Sequence, residues 1–520
     1  MPPLRPLFLA LCALLPLTLS LTLLATDPVP RLGLIINEDN SHFFTTRDAD
    51  DMTIQGLNAW VDQYAGTEVS HLFLNASAMK TSYASEVRGV IWELTEHQKM
   101  PTGNGLRWME NAKLLHEQGL DPYAIWIDRS REKGISPWIS MRMNDVHNAP
   151  DTTSYMHSPF WIEHPEYWRI PGEEINDWTD RGLDYNQPAV REHAMALVRE
   201  LLERYDADGL ELDWMRFSWH FKPGEEAQGG ETLTHFMREV RELVDEFSVR
   251  RGHPIQLGVR VPAHPDAADG LGIPGAAWAR EGLIDWLVPT PFWTTTDFDI
   301  PVQLWRERLG AAADQVVLAP GIEYNMRAWP EGQNVPNTLE TTRGWAAMAW
   351  EQGAEQLYLF NYMDSQTIPM SVADYRRLLE NGLGPAELAR QPRRHPQTYR
   401  DTVPLGSDAG IVLPAALSAG LTLSLNLGAK PEHGPTTLIL GLDKAAAVDA
   451  RLVVTINGVP CPRLADPPAP EMFPASVRAL QFACPPEAVV SGHNTLVVAP
   501  LTDAPAVQII WAEVRVEPAV

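Results

Sequence analysis

Between residues 31 and 385, short apolar runs rich in β-branched and aromatic residues alternate with longer stretches whose apolar positions recur every three or four residues. The short runs fall at 32–37, 70–75, 138–144, 209–215, 255–262, 286–292, 316–322 and 356–361. Stretches between them, such as 190–205 (VREHAMALVRELLERY) and 231–250, carry the repeat of an amphipathic helix. Eight strand–helix repeats of this kind predict an α/β chain folded as a (β/α)8 barrel. A doubly wound open sheet is the alternative; it usually has fewer strands, and no glycine-rich phosphate loop follows the first run.

After about residue 395 the helical period disappears. Short alternating runs at 420–427, 437–442, 451–456 and 494–498 are separated by Gly, Pro and Asn, with turn signals at Asn457-Gly458 and Gly492-His493-Asn494. That pattern predicts an antiparallel β-sandwich over 400–520, joined to the barrel by an Arg- and Pro-rich linker at 386–399. Tryptophan follows the same division: of 18, all but Trp511 precede residue 351.

The N-terminus adds a targeting reading. Arg5 precedes an apolar run from residue 7 to 25, and polar, Pro-containing sequence follows, as in a secretory signal peptide spanning 1–25. Leu23 stands where cleavage after Ala25 prefers a small residue, so an uncleaved membrane anchor is the alternative. Cys12 lacks the small preceding residues of a lipidation signal. Export leaves Cys461 and Cys484 in a compartment where disulfides persist; their spacing leaves open whether they pair. The formal charge of −26 disfavours nucleic acid as a partner.

In such barrels the reacting groups stand at the C-terminal ends of the strands. Strand one ends in Glu38-Asp39, and strand three in Arg142, Asn144, Asp145 and His147. Strand four supplies Glu211, Asp213, Trp214 and Arg216, and strand five Arg260 and His264. Strand six ends in Trp293, strand seven in Glu323, and strand eight in Asn361 and Tyr362. A charge pointing into a barrel is costly unless paired, so this density of charge marks either a site or a structural ion-pair layer of Arg142, Arg216 and Arg260 with the acids. Glu211 and Asp213, two residues apart, share the inner face, whereas Leu210, Leu212 and Trp214 face the helices. Two such carboxyls push their proton affinities apart. Glycoside cleavage needs carboxyls on opposite sides of the bond, so the partner of Asp213 belongs on another strand. Glu323 is the first choice, with Asp145 and Glu38 in reserve. Arg142, Asn144, Asp145, His147, Arg216, Arg260, His264, Asn361 and Tyr362 are candidates to hold substrate. Trp214 and Trp293 are candidate platforms for the apolar face of a sugar, as is the group Trp161, Trp168, Trp178 and Trp219. His147, Asp145 and His264 lack the HxH or HExxH spacing of a metal site, and no cofactor is called for.

The run Asp208-Gly-Leu-Glu211-Leu-Asp213-Trp-Met215 resembles the strand-four signature DGxDxDxE of family 18 chitinases. It departs from it where Glu211 replaces an Asp and Met215 replaces the catalytic acid, and a Met transfers no proton. The same strand is similar to that of α-galactosidase-like barrels, which carry an Asp nucleophile there. The run from Leu183 to Phe217, with the upstream SMRMNDVHN, most closely resembles bacterial glycosyl hydrolase-like family 10 barrels over about residues 31–385. The C-terminal turns are similar to galactose-binding-like jelly rolls. These resemblances imply a secreted glycoside hydrolase acting on a polysaccharide or oligosaccharide through a carboxylate pair. The alternatives are an inactive carbohydrate-binding barrel, or a barrel enzyme of other chemistry such as a lyase or deacylase.

Overall fold

The computed structural model describes residues 33–172, 177–365, 367–402, 409–432, 434–444, 452–467, 476–501 and 507–517. The apolar leader and the side chain of Trp178 lie outside the described residues. Six strands, β1 (Leu34–Glu38), β2 (Val69–Ser77), β3 (Ser136–Arg142), β4 (Gly209–Asp213), β5 (Gln256–Pro262) and β6 (Trp286–Thr290), pair in parallel in chain order. The seventh barrel strand is broken at Ala319-Pro320 into β7 (Val317–Leu318) and β8 (Gly321–Ile322), and the β9–β10 hairpin (Asn325–Met326 with Val335–Pro336) follows it. β7 pairs with β6, while β8 pairs with β11 (Leu357–Leu359), which pairs with β1. One interrupted strand thus closes the ring. Every strand expected from the sequence is present, with ends moved by one or two residues.

Period-two alternation divides the apolar residues into two cores. Ile35, Phe73, Trp138, Trp286, Val288, Val317, Ala319, Tyr358 and Phe360 fill the ring, and a larger cluster lies between strands and helices. Phe73 stacks on Trp138 with centroids 4.5 Å apart. The Trp138 indole needs the space beside Gly209: a Cβ there would come within 2.3 Å of the ring. Bulky aromatics therefore plug the barrel floor, and polar groups gather above them.

The C-terminal part forms two antiparallel sheets. One contains β12 (Arg393–Pro396), β15 (Thr436–Leu442), β18 (Arg478–Cys484) and β20 (Gln508–Val516), with β13 (Ala415–Ala416) on β20; the other contains β14 (Leu421–Asn426), β16 (Leu452–Ile456), β17 (Val459–Pro460) and β19 (His493–Pro500). β12 lies in the segment read as linker, so that segment is part of the first sheet. It packs on the barrel helix Leu339–Glu351 so closely that a Cβ on Gly344 would meet the Arg394 carbonyl at 1.9 Å. Cys461 and Cys484 are both buried, and both are free thiols.

Candidate active site

On β4 the alternation sends Leu210 and Leu212 to the helices and Glu211 and Asp213 into the ring. Glu211 sits lowest. Its Oε2 accepts from Ser140 Oγ (2.6 Å) and Tyr358 OH (3.2 Å), while Oε1 has no partner among the described residues. Burial, with the Asp213 charge second, pushes its carboxyl up to about 8. Asp213 stands above it with every oxygen engaged. Oδ1 accepts the backbone N–H groups of Met215 (3.1 Å) and Arg216 (2.8 Å), and Oδ2 accepts from Arg260 Nη1 (2.8 Å). This capping turns the chain at the strand end, placing Arg216 in the mouth and leaving Met215 fully buried.

Glu323 directly follows β8 and is also buried. The Tyr324 N–H donates to Oε1 (2.8 Å), and Asn361 Nδ2 lies 3.0 and 3.2 Å from its two oxygens. Asn361 has φ +60°, a left-handed conformation that Asn tolerates better than most residues and that aims its amide at the carboxyl. No cation bonds to Glu323 among the described residues, and burial pushes it up to about 7, against smaller lowering effects of Asn361, the Tyr324 N–H, Arg216 and Arg260. A carboxyl poised there can deliver a proton near neutral pH.

The ends of strands one and three carry further charges of the mouth. Arg142 is held between Asp39 and Asp145 (3.2 Å to the latter). Asp145 Oδ1 accepts from the His147 backbone (2.9 Å) and lies 2.7 Å from its Nδ1. Arg216 Nη2 is 3.2 Å from His147 Nε2. A guanidinium only donates, so Nε2 carries the lone pair and Nδ1–H points to Asp145. A second chain, Glu38–His42–Asp364–Arg47, joins the ends of β1 and β11 with contacts of 2.8, 3.0 and 2.8 Å. Burial disfavours charge on His42, but the carboxylates on either side outweigh it and push the imidazole up to about 10.

Aromatic rings frame the centre. The Arg216 guanidinium carbon lies 5.0 Å from the Phe217 ring, 5.6 Å from Trp293 and 6.0 Å from Phe360, and Arg260 lies 3.9 Å over Phe360. Trp293 is 44% exposed at the rim. Its backbone N–H and that of Thr294 donate to Asp401 at 2.7 and 2.6 Å, so the segment after β12 holds the loop that carries this ring. Beside Asp39, Arg142 and His147 opens a cavity of about 400 Å³, walled by Trp108, Tyr155 and Met156.

The mouth thus gathers Asp213, Glu323, Arg142, Asp145, His147, Arg216, Arg260, Trp293 and Asn361. The other expected residues are used differently. Asn144 pins a loop, donating to the Leu183 and Trp219 carbonyls (3.0 and 2.7 Å) and accepting the Leu183 N–H (2.8 Å). His264 caps the helix Pro265–Gly270. Trp214 is core, packed against Tyr185, His220, Phe236 and Trp278. Tyr362 is buried with its hydroxyl 3.1 Å from Thr342, and Trp161 and Trp168 pack on each other. Asp39, His42, Phe360 and Asp401 were not among the candidates. Position at a strand end marks Asp39; nothing in the local sequence marks Asp401.

No family model matches the chain. Over 246 residues it is 21% identical to glycosyl hydrolase DigH of Escherichia coli K12, covering 39% of this chain and 54% of that protein. The likeness is to a glycosyl hydrolase. The chain spans about half the length of the curated relatives it matches. Among solved structures it is similar to α-L-fucosidase isoenzyme 2 of Paenibacillus thiaminolyticus, with TM-score 0.42, 14% identity, and 68% and 49% of the two chains covered. It is also similar to the PgaB glycoside hydrolase domain of Bordetella bronchiseptica, with TM-score 0.40, 11% identity, and 68% and 99% covered. A family GH18 chitinase of Chromobacterium violaceum gives TM-score 0.36 at 10% identity, with 92% and 90% covered.

Proposed function

We propose that this protein is an exported glycoside hydrolase that cleaves a polysaccharide or oligosaccharide at the barrel mouth. Glu323 is its general acid, and the ion-paired Asp213 is the nucleophile or base. One observation carries the reading: Glu323 is a buried carboxyl at a strand end whose hydrogen-bond partners among the described residues are all neutral, pushed up to about 7. Such a group holds its proton until a glycosidic oxygen needs it as the bond breaks. Asn361 fixes its orientation. Asp213 supplies negative charge towards the positive charge that develops on the sugar ring, and Arg260 positions it. The exposed face of Trp293 offers an apolar platform to a sugar. The distant likeness to glycosyl hydrolase DigH, together with the resemblance of residues 183–217 to glycosyl hydrolase-like family 10 barrels, supports the same chemistry.

A binding-only role rests on a different observation, namely that both Asp213 oxygens are occupied and Met215 stands where chitinases carry an acid. A glycan panel separates the two. Release of reducing ends by the native chain, lost in Glu323→Gln and Asp213→Asn, supports hydrolysis. Binding without release from any glycan makes the protein a lectin. Export is checked by N-terminal sequencing of the protein recovered from its host, with a mature start after Ala25 expected.

A further inference from the structure

The acids of the mouth are shared unevenly among its three arginines. Arg142 has Asp39 and Asp145, and Arg260 has Asp213. Arg216 has no carboxylate within ion-pairing distance among the described residues, and Asp145 and Asp39 attract it only from further away. Its Nη2 meets the neutral edge of His147, and its Nε and Nη1 meet no acceptor. The residue is only 8% exposed, so water does little to compensate. A buried guanidinium without an anion in contact is unfavourable, and Arg142 and Arg260 add repulsion that Asp145 and Asp39 offset only in part. Burial first, and then Arg142, push this guanidinium down to about 10. The backbone also spends strain here: Phe217, a bulky residue beside Arg216, has φ +64°. That turn sets the Phe217 ring against the guanidinium, with Trp293 and Phe360 also close to it. The result is a desolvated cation held in place beside the cavity that His147 and Arg142 border.

From this arrangement we infer that Arg216 anchors an acidic substituent, a carboxylate or a sulfate ester, on the sugar bound at the mouth, with Trp293 taking the apolar face of that glycan. The inference rests on the hydrolase reading only in that a sugar occupies the mouth. Both acids present oxygens that accept from a guanidinium, whose planar fork suits them geometrically. The overall charge of −26 repels an acidic glycan at a distance, so the preference has to come from this local contact rather than from steering.

Calorimetric binding to the full chain carrying Glu323→Gln tests this without consuming the glycan. The probes are two matched pairs: a glucuronate-bearing oligosaccharide with its carboxyl-reduced counterpart, and a sulfated oligosaccharide with its desulfated counterpart. In at least one pair the acidic member is expected to bind about tenfold tighter or more, and the pair that responds identifies the acid. Adding Arg216→Met is expected to bring the acidic member down to its neutral counterpart, and Arg216→Lys to restore part of the difference. Equal affinities within both pairs, no binding of any probe, or a Met variant of unchanged melting temperature that keeps the preference would each overturn the inference. The comparison of members within a pair does not depend on the folding of the Arg216 variants. Hydrolysis by the unsubstituted chain is read separately: acid preference without hydrolysis sinks the hydrolase reading alone, and hydrolysis without acid preference sinks this inference alone.

Discussion

Glu513 in the C-terminal sheets and Glu323 at the barrel mouth are both removed from solvent, yet their surroundings treat them in opposite ways. Glu513, on β20, receives Arg394 from β12 (3.2 and 2.6 Å), Arg515, and Trp511 Nε1 (3.0 Å). Burial raises its proton affinity, but Arg394 and Arg515 outweigh it, and the carboxyl stays below its usual range. Glu323 receives one amide and one backbone N–H, and burial wins. The same residue type at the same burial thus becomes a fixed anion in one place and a stored proton in the other. Full pairing makes architecture; incomplete pairing leaves chemistry available.

The sharpest way to break that contrast is to neutralise each glutamate in turn. Glu323→Gln is expected to lower kcat on a responsive glycan about 10³-fold with the melting temperature preserved, as for loss of a general acid. Glu513→Gln is expected to do the reverse, costing about 3 kcal/mol of stability in denaturant titration because it leaves guanidiniums buried against a neutral amide, while kcat holds. If both variants lose activity and stability alike, the two sites are not different in kind. A smaller effect is expected from the rim: Trp293→Ala should raise KM about tenfold with kcat largely spared, and Asp401→Ala, which frees the loop beneath it, should raise KM less.

The smallest expected effect is on stability against pH. Burial raises Glu323 and Asp297 to about 7 and Glu211 to about 8, from ordinary values of 4.5, 3.8 and 4.5. Above pH 4.5 the unfolded chain has released these protons and the folded chain keeps them, so their stabilisation is lost as pH rises through 7 to 8. His42, raised from 6.5 to about 10, contributes in the same direction at higher pH. Asp39, Asp145 and Asp364 are held below 3.8, and their contribution disappears only as pH falls below that value. Burial holds His71 and His193 down to about 3 and His220 down to about 4, which adds stability as pH rises towards 6.5, so the melting temperature is expected to change little between about pH 5 and 6.5 and to fall between about pH 6.5 and 8. A rise over that window would contradict the assignment of stored protons.

Much of the barrel is legible in the sequence because strand and helix periods differ. The break at Ala319-Pro320 is not, since 316–322 reads as one apolar run and the two halves differ only in which neighbour they meet. β12 is harder still. Arg393-Arg394-His395-Pro396 looks like polar linker until Glu513, far along the chain, supplies the charge that lets it be buried. In the site, Asp213 and Glu323 follow from strand-end position. Asn144, His264 and Tyr362 bond to the loops and helices around them because past the last strand residue the loop path, not the period of two, sets direction. Trp214 is the instructive exception, since alternation already points it at the helices, away from the mouth.

Direct titration of the two glutamates is the most immediate test of the contrast, and it needs no substrate. In the full chain labelled with carboxyl-¹³C glutamate, the Glu323 and Glu513 signals can be assigned by their loss in Glu323→Gln and Glu513→Gln. Glu323 is expected to titrate near 7, while Glu513 remains ionised below 4.5. Both signals titrating together in the ordinary carboxylate range would contradict the account.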